Sequence, residues 1–388
     1  MEISERDKTT AHVALLAITL AAILRTAWIS DASINTLRSA VNFVHGAGPV
    51  VHVNDRVQSF IHPLWFLLIA AGTLVTRNAF AATFILSIVL SFATVWILIG
   101  RVASSFWAGM LAGTILLLSK AYLDYSSSGL ETPLAHFLLI LGVMLGLESF
   151  DSDSDCIAPG SIIALASIYL CRPSLLLAVL PFGILVLWRS YKTPRQTAIV
   201  VALAIVPALC WTIFSRLYYR EAIPAQVFAH LQGNPPRIED VRQGIVYLLD
   251  SLSVDPLTLT IVSLAILLSL QRSVELKALA AGSILYLIYV VSVGGDSMSG
   301  HLMTIPLLAS AVIVSRSDLS AVGNAGIAAM IAVLGAISAP TTIFAGPKYA
   351  AGEVVHGIRD ERGASYVHQG LANSIRSTFM QPEEWTPR

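Results

Sequence analysis

The stretch AHVALLAITLAAILRTAWI, residues 11–29, decides the class of fold. It carries one formal charge, Arg25, and as a helix it would extend about 28 Å, close to the thickness of the hydrocarbon core of a bilayer. Arg6 and Lys8 precede it, and no small-residue cleavage pattern follows it. The pattern predicts a retained membrane helix with a cytoplasmic N-terminus, not a signal peptide that is removed.

The rest of the chain repeats this character. Of 388 residues, 55% are hydrophobic and 12% are charged, against about 25% charged in soluble domains. Further apolar runs lie near residues 62–76, 79–100, 106–120, 133–149, 160–171, 175–188, 197–217, 256–270, 278–293, 302–315 and 320–338. The sequence therefore predicts an all-α polytopic membrane protein with about eleven transmembrane helices.

Composition also excludes several function classes. Lys and Arg number 24, as do Asp and Glu, so no basic surface is offered to nucleic acid. The three cysteines have no CxxC spacing, which argues against a zinc site or a disulfide framework. The chain has no Walker motif and so is not an ATP-driven pump.

Basic residues in short loops predict the orientation. Arg101, the loop 189–195, the segment 272–277 and Arg316 are expected on the cytoplasmic side. The run 62–76 is too short for a full crossing, so it is expected to be re-entrant or juxtamembrane. The external loops are then 30–61, 121–132, 172–174, 218–255 and 294–301. Residues 1–338 would form the transmembrane domain, and 339–388 a short external C-terminal segment.

Asp31 stands just beyond the outer end of the first helix. Ile34, Leu37, Val41 and Val44 follow it at helical spacing, which predicts an amphipathic helix on the membrane surface. A carboxylate there reaches the headgroup region. The alternative is that Asp31 only caps the helix.

Three more polar sites fall in the external loops. Glu131 precedes an apolar helix, where it would either serve a site or merely interact with the helix dipole. Arg172 lies between two apolar runs, where it would pair with an acid or a phosphate, or snorkel to the surface. Asp296 and His301 belong to a glycine-rich turn that can bring them between two helices.

These residues share one predicted side of the membrane. Such a set suits an external site for a phosphorylated lipid, because carboxylates can deprotonate an acceptor or hold a metal and arginines neutralise phosphate. The set comprises Asp31, Arg56, His62, Asp124, Glu131, Arg172, Asp296 and His301.

Several motifs, in the same order along the chain, resemble GT-C fold membrane glycosyltransferases. The most similar branch contains the mycobacterial terminal arabinofuranosyltransferase and a related flagellar motor control protein. The motifs are Asp31 to Arg38, Asn42 to Gly46, Arg56 to Gln58, His62 to Trp65, Asp124-Tyr125, Ser127 to Glu131, Tyr218-Tyr219 to Pro224, Gly294 to Asp296, Met298 to Gly300, Asp360 to Arg362, and Gly370-Leu371.

The resemblance implies transfer of a sugar from a polyprenyl-phosphate donor to a glycan, lipid or protein outside the cytoplasmic membrane. The sugar would be arabinofuranose or another pentose or hexose. Asp31 would be the catalytic carboxylate, acting as a base or holding a divalent metal. Arg38, Tyr219 and Gln226 join the candidate pocket because they lie in or beside the matching motifs.

The chain departs from the family at informative positions. Relatives usually have two adjacent acids where this chain has Ser30-Asp31, and Pro-Asn-Thr where it has Pro224-Ala225-Gln226. His301 stands where an arginine is common, and the large external C-terminal domain of the arabinosyltransferase is expected to be missing, since about 50 residues follow the last predicted helix. Ser30 favours the competing hypothesis, a non-catalytic assembly partner or a lipid or solute transporter. The outward bias of the acids favours the enzyme.

Overall fold

The computed structural model describes residues 4–53, 55–151, 158–189, 194–221, 238–337 and 354–371. Within these ranges the chain forms helices joined by short turns, without extended strands. The helices are α1 (Glu5–Thr26), α2 (Asp31–Val44), α3 (Pro63–Thr76), α4 (Ala79–Ile97), α5 (Phe106–Leu118), α6 (Lys120–Tyr125), α7 (Thr132–Asp151), α8 (Pro159–Ser167), α9 (Leu176–Arg189), α10 (Pro194–Tyr218), α11 (Ile238–Val254), α12 (Pro256–Ser269), α13 (Val274–Ser292), α14 (Thr304–Ser315), α15 (Ala321–Ile337) and α16 (Glu361–Gln369).

The helices account for every predicted apolar run. Among the described residues, five are long and apolar enough to cross a membrane: α1, α4 with its π-helical end, α7, α10 and α13. The α11–α12 pair, bent by 111°, would add a sixth span if it is counted as one. The remaining predicted crossings coincide with shorter apolar helices, and α3 has only 14 residues. The fold is thus all-α and polytopic, as predicted.

Close packing of the bundle depends on small residues. A Cβ at Gly282 on α13 would lie 1.9 Å from the carbonyl oxygen of Ala178 on α9, so only glycine permits this approach. In membranes, where water does not drive helices together, such close backbone contact is a principal source of helix association. Around it, buried Leu, Ile and Val side chains form one continuous core.

The polar loops separate onto the two ends of the bundle. Glu131 precedes the first residue of α7 and Asp151 ends it, 20 residues later, which is about 30 Å of helix. At the Asp151 end, Arg316 pairs with Asp151 at 3.0 Å and Arg101 pairs with Glu148 at 3.1 Å. These are loops predicted to be cytoplasmic. The loops predicted to be external meet at the Glu131 end.

Three helices were not predicted: α6 in the expected loop 121–132, α11 in the expected loop 218–255, and α16. In α11, Ile238, Val241, Ile245 and Leu248 have a helical repeat that could have revealed it. The bend after α11 has a local cause. Asp255 accepts hydrogen bonds from the Ala121 backbone N–H at 2.9 Å and from Thr258, which starts α12 in a new direction.

Candidate active site

Glu131 lies at the centre of the polar end of the bundle. It is buried directly before the first turn of α7. Its Oε1 forms an ion pair with Arg172 Nε at 3.0 Å, and its Oε2 lies 3.3 Å from His62 Nδ1. Glu131 therefore does more than interact with a helix dipole, because it joins residues from three separate loops.

His62 links this centre to α2. Its Nε2 lies 2.8 Å from the Thr36 hydroxyl, an arrangement that suits a neutral ring with Nε2 accepting and the Nδ1 proton facing Glu131. Burial lowers the pKa of His62, and the opposing effect of the Glu131 charge does not reverse this. His62 is therefore neutral at physiological pH.

A second branch runs from Arg172 to Asp296. One Arg172 Nη lies 3.4 Å from His301 Nε2, and His301 Nδ1 lies 2.8 Å from Asp296 Oδ2. The ring of Tyr125 stacks on His301 with 4.7 Å between centroids. Glu131, Arg172, His301 and Asp296 thus form a continuous chain of contacts. We call these four residues, with His62 beside Glu131, the Glu131–Asp296 network.

The charges of this network stabilise each other. Burial by itself would raise the pKa of Glu131, but the positive charge of Arg172, with smaller contributions from His62, His301 and a backbone hydrogen bond, outweighs burial and keeps that pKa below its usual value. Burial also opposes ionisation of Asp296, yet the hydrogen bond from His301 and the nearby Arg172 hold its pKa well below the usual range. Both carboxylates are therefore ionised at neutral pH.

The backbone around the network is locked by long-range hydrogen bonds. Trp65 Nε1 donates to the Gly129 carbonyl at 2.8 Å, and the Ser30 N–H donates to the Ser128 carbonyl at 2.8 Å. On the opposite side, Gly295 has a positive φ of 77°, and a Cβ there would lie 2.5 Å from the Cβ of Tyr247. Glycine is required for both reasons, as the predicted glycine-rich turn anticipated.

Asp31 is the exposed carboxylate of this end. It is the first residue of α2, whereas Ser30, fully buried, is the N-cap and accepts from the Ser33 N–H at 3.3 Å. The capping role considered for Asp31 therefore belongs to Ser30. The Asp31 carboxylate instead accepts a hydrogen bond from the side-chain amide of Gln369, on the last turn of α16.

Asp124 belongs to a second ionic cluster. It pairs with Lys120 and, at 2.8 Å, with Arg362 Nε, while Lys120 lies 3.0 Å from Asp360. Lys120, Asp124 and Arg362 are all buried. This buried ionic cluster attaches the segment 354–371 to α6. Sequence reasoning missed the pairing because nothing local in the chain connects positions 120 and 362.

The remaining predicted residues lie elsewhere. Arg38 is exposed on α2. The guanidinium of Arg56 lies 5.1 Å from the ring centroid of Tyr218, and the Tyr219 hydroxyl donates to the Pro49 carbonyl at 2.6 Å. These two contacts define a neighbouring patch where the first loop meets α10. Gln226 lies outside the described residues.

The sequence leaves open that Asp31 holds a divalent metal. In the described parts of the chain, no group of three or more His, Cys, Asp or Glu side chains is arranged to hold a metal ion. The hydrogen-bond partner of Asp31 is the side-chain amide of Gln369. That amide presents its N–H group, which donates a hydrogen bond and cannot bind a metal ion. The described residues around Asp31 therefore offer no ready-made centre of three protein ligands.

Comparisons with known proteins agree with this architecture. No protein-family model matches the chain. The chain is 27% identical over 334 residues to the terminal β-(1→2)-arabinofuranosyltransferase of Corynebacterium glutamicum, covering 74% of this chain and 48% of that protein. It therefore spans about half the length of this curated relative.

Two solved structures share the fold. ArnT from Cupriavidus metallidurans, determined with undecaprenyl phosphate bound, matches with a TM-score of 0.58 at 13% identity, over 86% of this chain and 64% of ArnT. The arabinosyltransferase EmbB from Mycobacterium smegmatis matches with a TM-score of 0.54 at 11% identity, over 81% of this chain and 30% of EmbB. The chain thus has the fold of GT-C membrane glycosyltransferases and resembles an arabinofuranosyltransferase, as its motifs predicted.

Proposed function

We propose that this protein transfers a sugar from a polyprenyl-phosphate donor to an acceptor on the external side of the cytoplasmic membrane. One observation carries the proposal: Asp31 is an exposed carboxylate at the same end of the bundle as the buried Glu131–Asp296 network, and Ser30, not Asp31, caps α2. Undecaprenyl phosphate bound to ArnT supports the class of donor, and the curated relative supports a pentose such as arabinofuranose.

In this proposal Asp31 acts as the general base. It takes the proton from the acceptor hydroxyl as the oxygen attacks the anomeric carbon, and the bond from that carbon to the phosphate oxygen breaks. The polyprenyl phosphate leaves with both electrons of that bond. A base serves best when it is exposed to the acceptor and ionised at the working pH, and Asp31 is on the surface of α2.

Arg172 is the proposed contact for the donor phosphate. Its guanidinium is already held by Glu131 and His301, but 17% of the side chain remains accessible. A pre-oriented guanidinium loses little conformational freedom when it binds a phosphate oxygen. Arg38 and Arg56, both exposed on the same end, would bind the acceptor or the outer part of the donor.

The basic loops at the other end of the bundle support an external position of the site. Arg101, Arg189 and Arg316 all form their ion pairs there. A cytoplasmic N-terminus and an external segment 354–371 complete this orientation. The acceptor would then be a glycan or another component of the cell envelope.

The test is a transfer assay in membranes that contain the full chain, with a panel of radiolabelled polyprenyl-phosphate sugars. Wild type is expected to transfer at least one sugar. Asp31→Asn keeps size and shape but cannot accept a proton, so transfer should fall by about 10²- to 10⁴-fold. Full activity of Asp31→Asn would refute Asp31 as the base. Inactivity of wild type with every donor, in membranes with a competent acceptor, would instead favour the non-catalytic assembly partner or transporter.

A further inference from the structure

The segment 354–371 contacts the Glu131 end of the bundle at three places. Backbone hydrogen bonds join Arg359 to Ser297 and Ser299 at 2.8 and 2.9 Å. The buried ionic cluster joins Asp360 and Arg362 to α6. Its third attachment is to the residues that lead directly into Asp31.

The third attachment is a short antiparallel pairing. The Ile29 N–H donates to the Gln369 carbonyl at 3.2 Å, and the Leu371 N–H donates to the Ala27 carbonyl at 2.8 Å. Gly370 and Trp28 lie opposite each other between these bonds. The backbone of Gln369 is therefore fixed against the backbone of Ile29, two residues before Asp31.

From this fixed backbone, the side chain of Gln369 reaches Asp31. Its Nε2 donates to Asp31 Oδ1. An ionised carboxylate acts only as a hydrogen-bond acceptor, so the amide N–H is a suitable partner for it. The Gln369 Oε1 is buried and accepts no hydrogen bond from the described residues. A buried amide oxygen without a partner is costly, so packing alone does not account for a glutamine at this position.

We propose that Gln369 is the positioning residue for Asp31: its amide N–H holds one carboxylate oxygen, so that the other oxygen faces the acceptor hydroxyl. This inference rests on the proposed function, in which Asp31 is the base. It gives the segment 354–371 a role in the reaction, since a hydrogen bond to one carboxylate oxygen fixes the orientation of the base.

The experiment compares three variants of the full chain in membranes. Gln369→Met keeps the length of the side chain but removes the donor, and Gln369→Glu also places a negative charge beside Asp31. His368→Ala is the matched control, because His368 is the exposed neighbour on the same turn of α16. Each is measured for transfer over a range of pH.

The expected result is an ordered loss of turnover. Gln369→Met should lose about 10-fold or more in kcat, with KM unchanged, because the base is no longer oriented. Gln369→Glu should lose more, because a like charge beside Asp31 replaces the donor, while His368→Ala keeps the wild-type values at every pH. A purely structural role would lower the yield of folded protein without changing kcat per folded molecule.

A second readout does not need activity. At one fixed pH, the modification of exposed Asp31 by a carbodiimide can be followed by mass spectrometry in purified, monodisperse protein. It should be faster in Gln369→Met than in wild type and His368→Ala, because the amide of Gln369 no longer covers one carboxylate oxygen. Equal rates in these three proteins would overturn the inference. Full transfer activity of Asp31→Asn would instead overturn the proposed function, while the labelling rates would still report the contact between the two side chains.

Discussion

The two ends of the bundle hold their charges in opposite ways. At the end that carries the candidate site, the ion pairs are buried: the side chains of Arg362 and Glu131 are 0% and 3% exposed. At the other end, Arg101 and Glu148 are 60% and 46% exposed. Charge buried away from water is unfavourable unless its partners are fixed. The site end therefore depends on specific charge pairs, whereas solvent screens the charges at the other end.

The contrast also separates two kinds of stability contribution. Exposed ion pairs typically contribute less than about 1 kcal/mol. A buried pair contributes little net stability as a whole, but the removal of one partner leaves an uncompensated charge and costs about 3–5 kcal/mol. Single substitutions at the two ends are therefore expected to behave very differently.

The largest effect is expected from the buried ionic cluster. Arg362→Ala removes one of the two cations that pair with Asp124 and leaves the buried cluster with an uncompensated negative charge, so it should lower the free energy of unfolding by about 3–5 kcal/mol. Arg101→Ala, the matched change at the other end, should cost less than about 1 kcal/mol. Both are measured by thermal or denaturant unfolding of the detergent-solubilised protein. Equal losses would mean that the two ends do not differ in the way their burial indicates.

A smaller effect is expected when charge is kept but geometry is changed. Arg172→Lys retains the positive charge but loses the planar fork that contacts Glu131 and His301. Turnover in the transfer assay should fall by about 10- to 100-fold, with expression unchanged.

Arg189→Lys is the control for that change. Arg189 lies at the opposite end, 3.7 Å from Glu275, with 56% of its side chain exposed. Lysine should serve there equally well, and transfer should stay at the wild-type level. If Arg172→Lys also transfers at the wild-type rate, Arg172 does not contact the donor phosphate.

The pH dependence of stability should also come from the site end. Burial lowers the pKa of His62 below its usual 6.5, so below pH 6.5 the unfolded chain binds a proton that the folded chain refuses. The free energy of unfolding should therefore decrease as the pH falls from about 6.5 to 5, by up to about 1.4 kcal/mol per pH unit.

A glutamine substitution isolates this contribution. His62→Gln should reduce the slope of the stability profile between pH 5 and 6.5, although the buried His136 still contributes to it. His52→Gln, which changes an exposed histidine of the preceding loop, should leave the slope unchanged. Glu131 and Asp296, with lowered pKa values, lose their stabilising effect only at more acidic pH. A slope in His62→Gln equal to that of wild type would assign the titration to another group.

Sequence reasoning succeeded where the signal was local. The apolar length of α1, the amphipathic repeat of α2 and the glycines around Asp296 each depend on residues close together in the chain. Loop charges then placed Glu131, Arg172 and His301 on one side, and their contacts in the structure follow from that placement.

It failed where the partner is remote. Arg362 and Gln369 lie in a polar segment whose helix has only nine residues, and their roles depend on contacts with Asp124 and Asp31, more than 200 positions earlier. No periodicity or composition connects such positions. The buried network could be predicted as a set of residues, but the pairing within the buried ionic cluster required the three-dimensional structure.

The smallest effect is expected at Ser30, which distinguishes one carboxylate from two at the start of α2. Ser30 caps α2 through the Ser33 N–H, and both Asn and Asp are good N-caps, so Ser30→Asn and Ser30→Asp differ mainly in one negative charge. If Asp31 alone is sufficient as the base, Ser30→Asp should transfer sugar within about threefold of Ser30→Asn, equivalent to ~0.6 kcal/mol in the barrier. Transfer that is absent in wild type and in Ser30→Asn but present in Ser30→Asp would show that the chemistry needs a pair of acids.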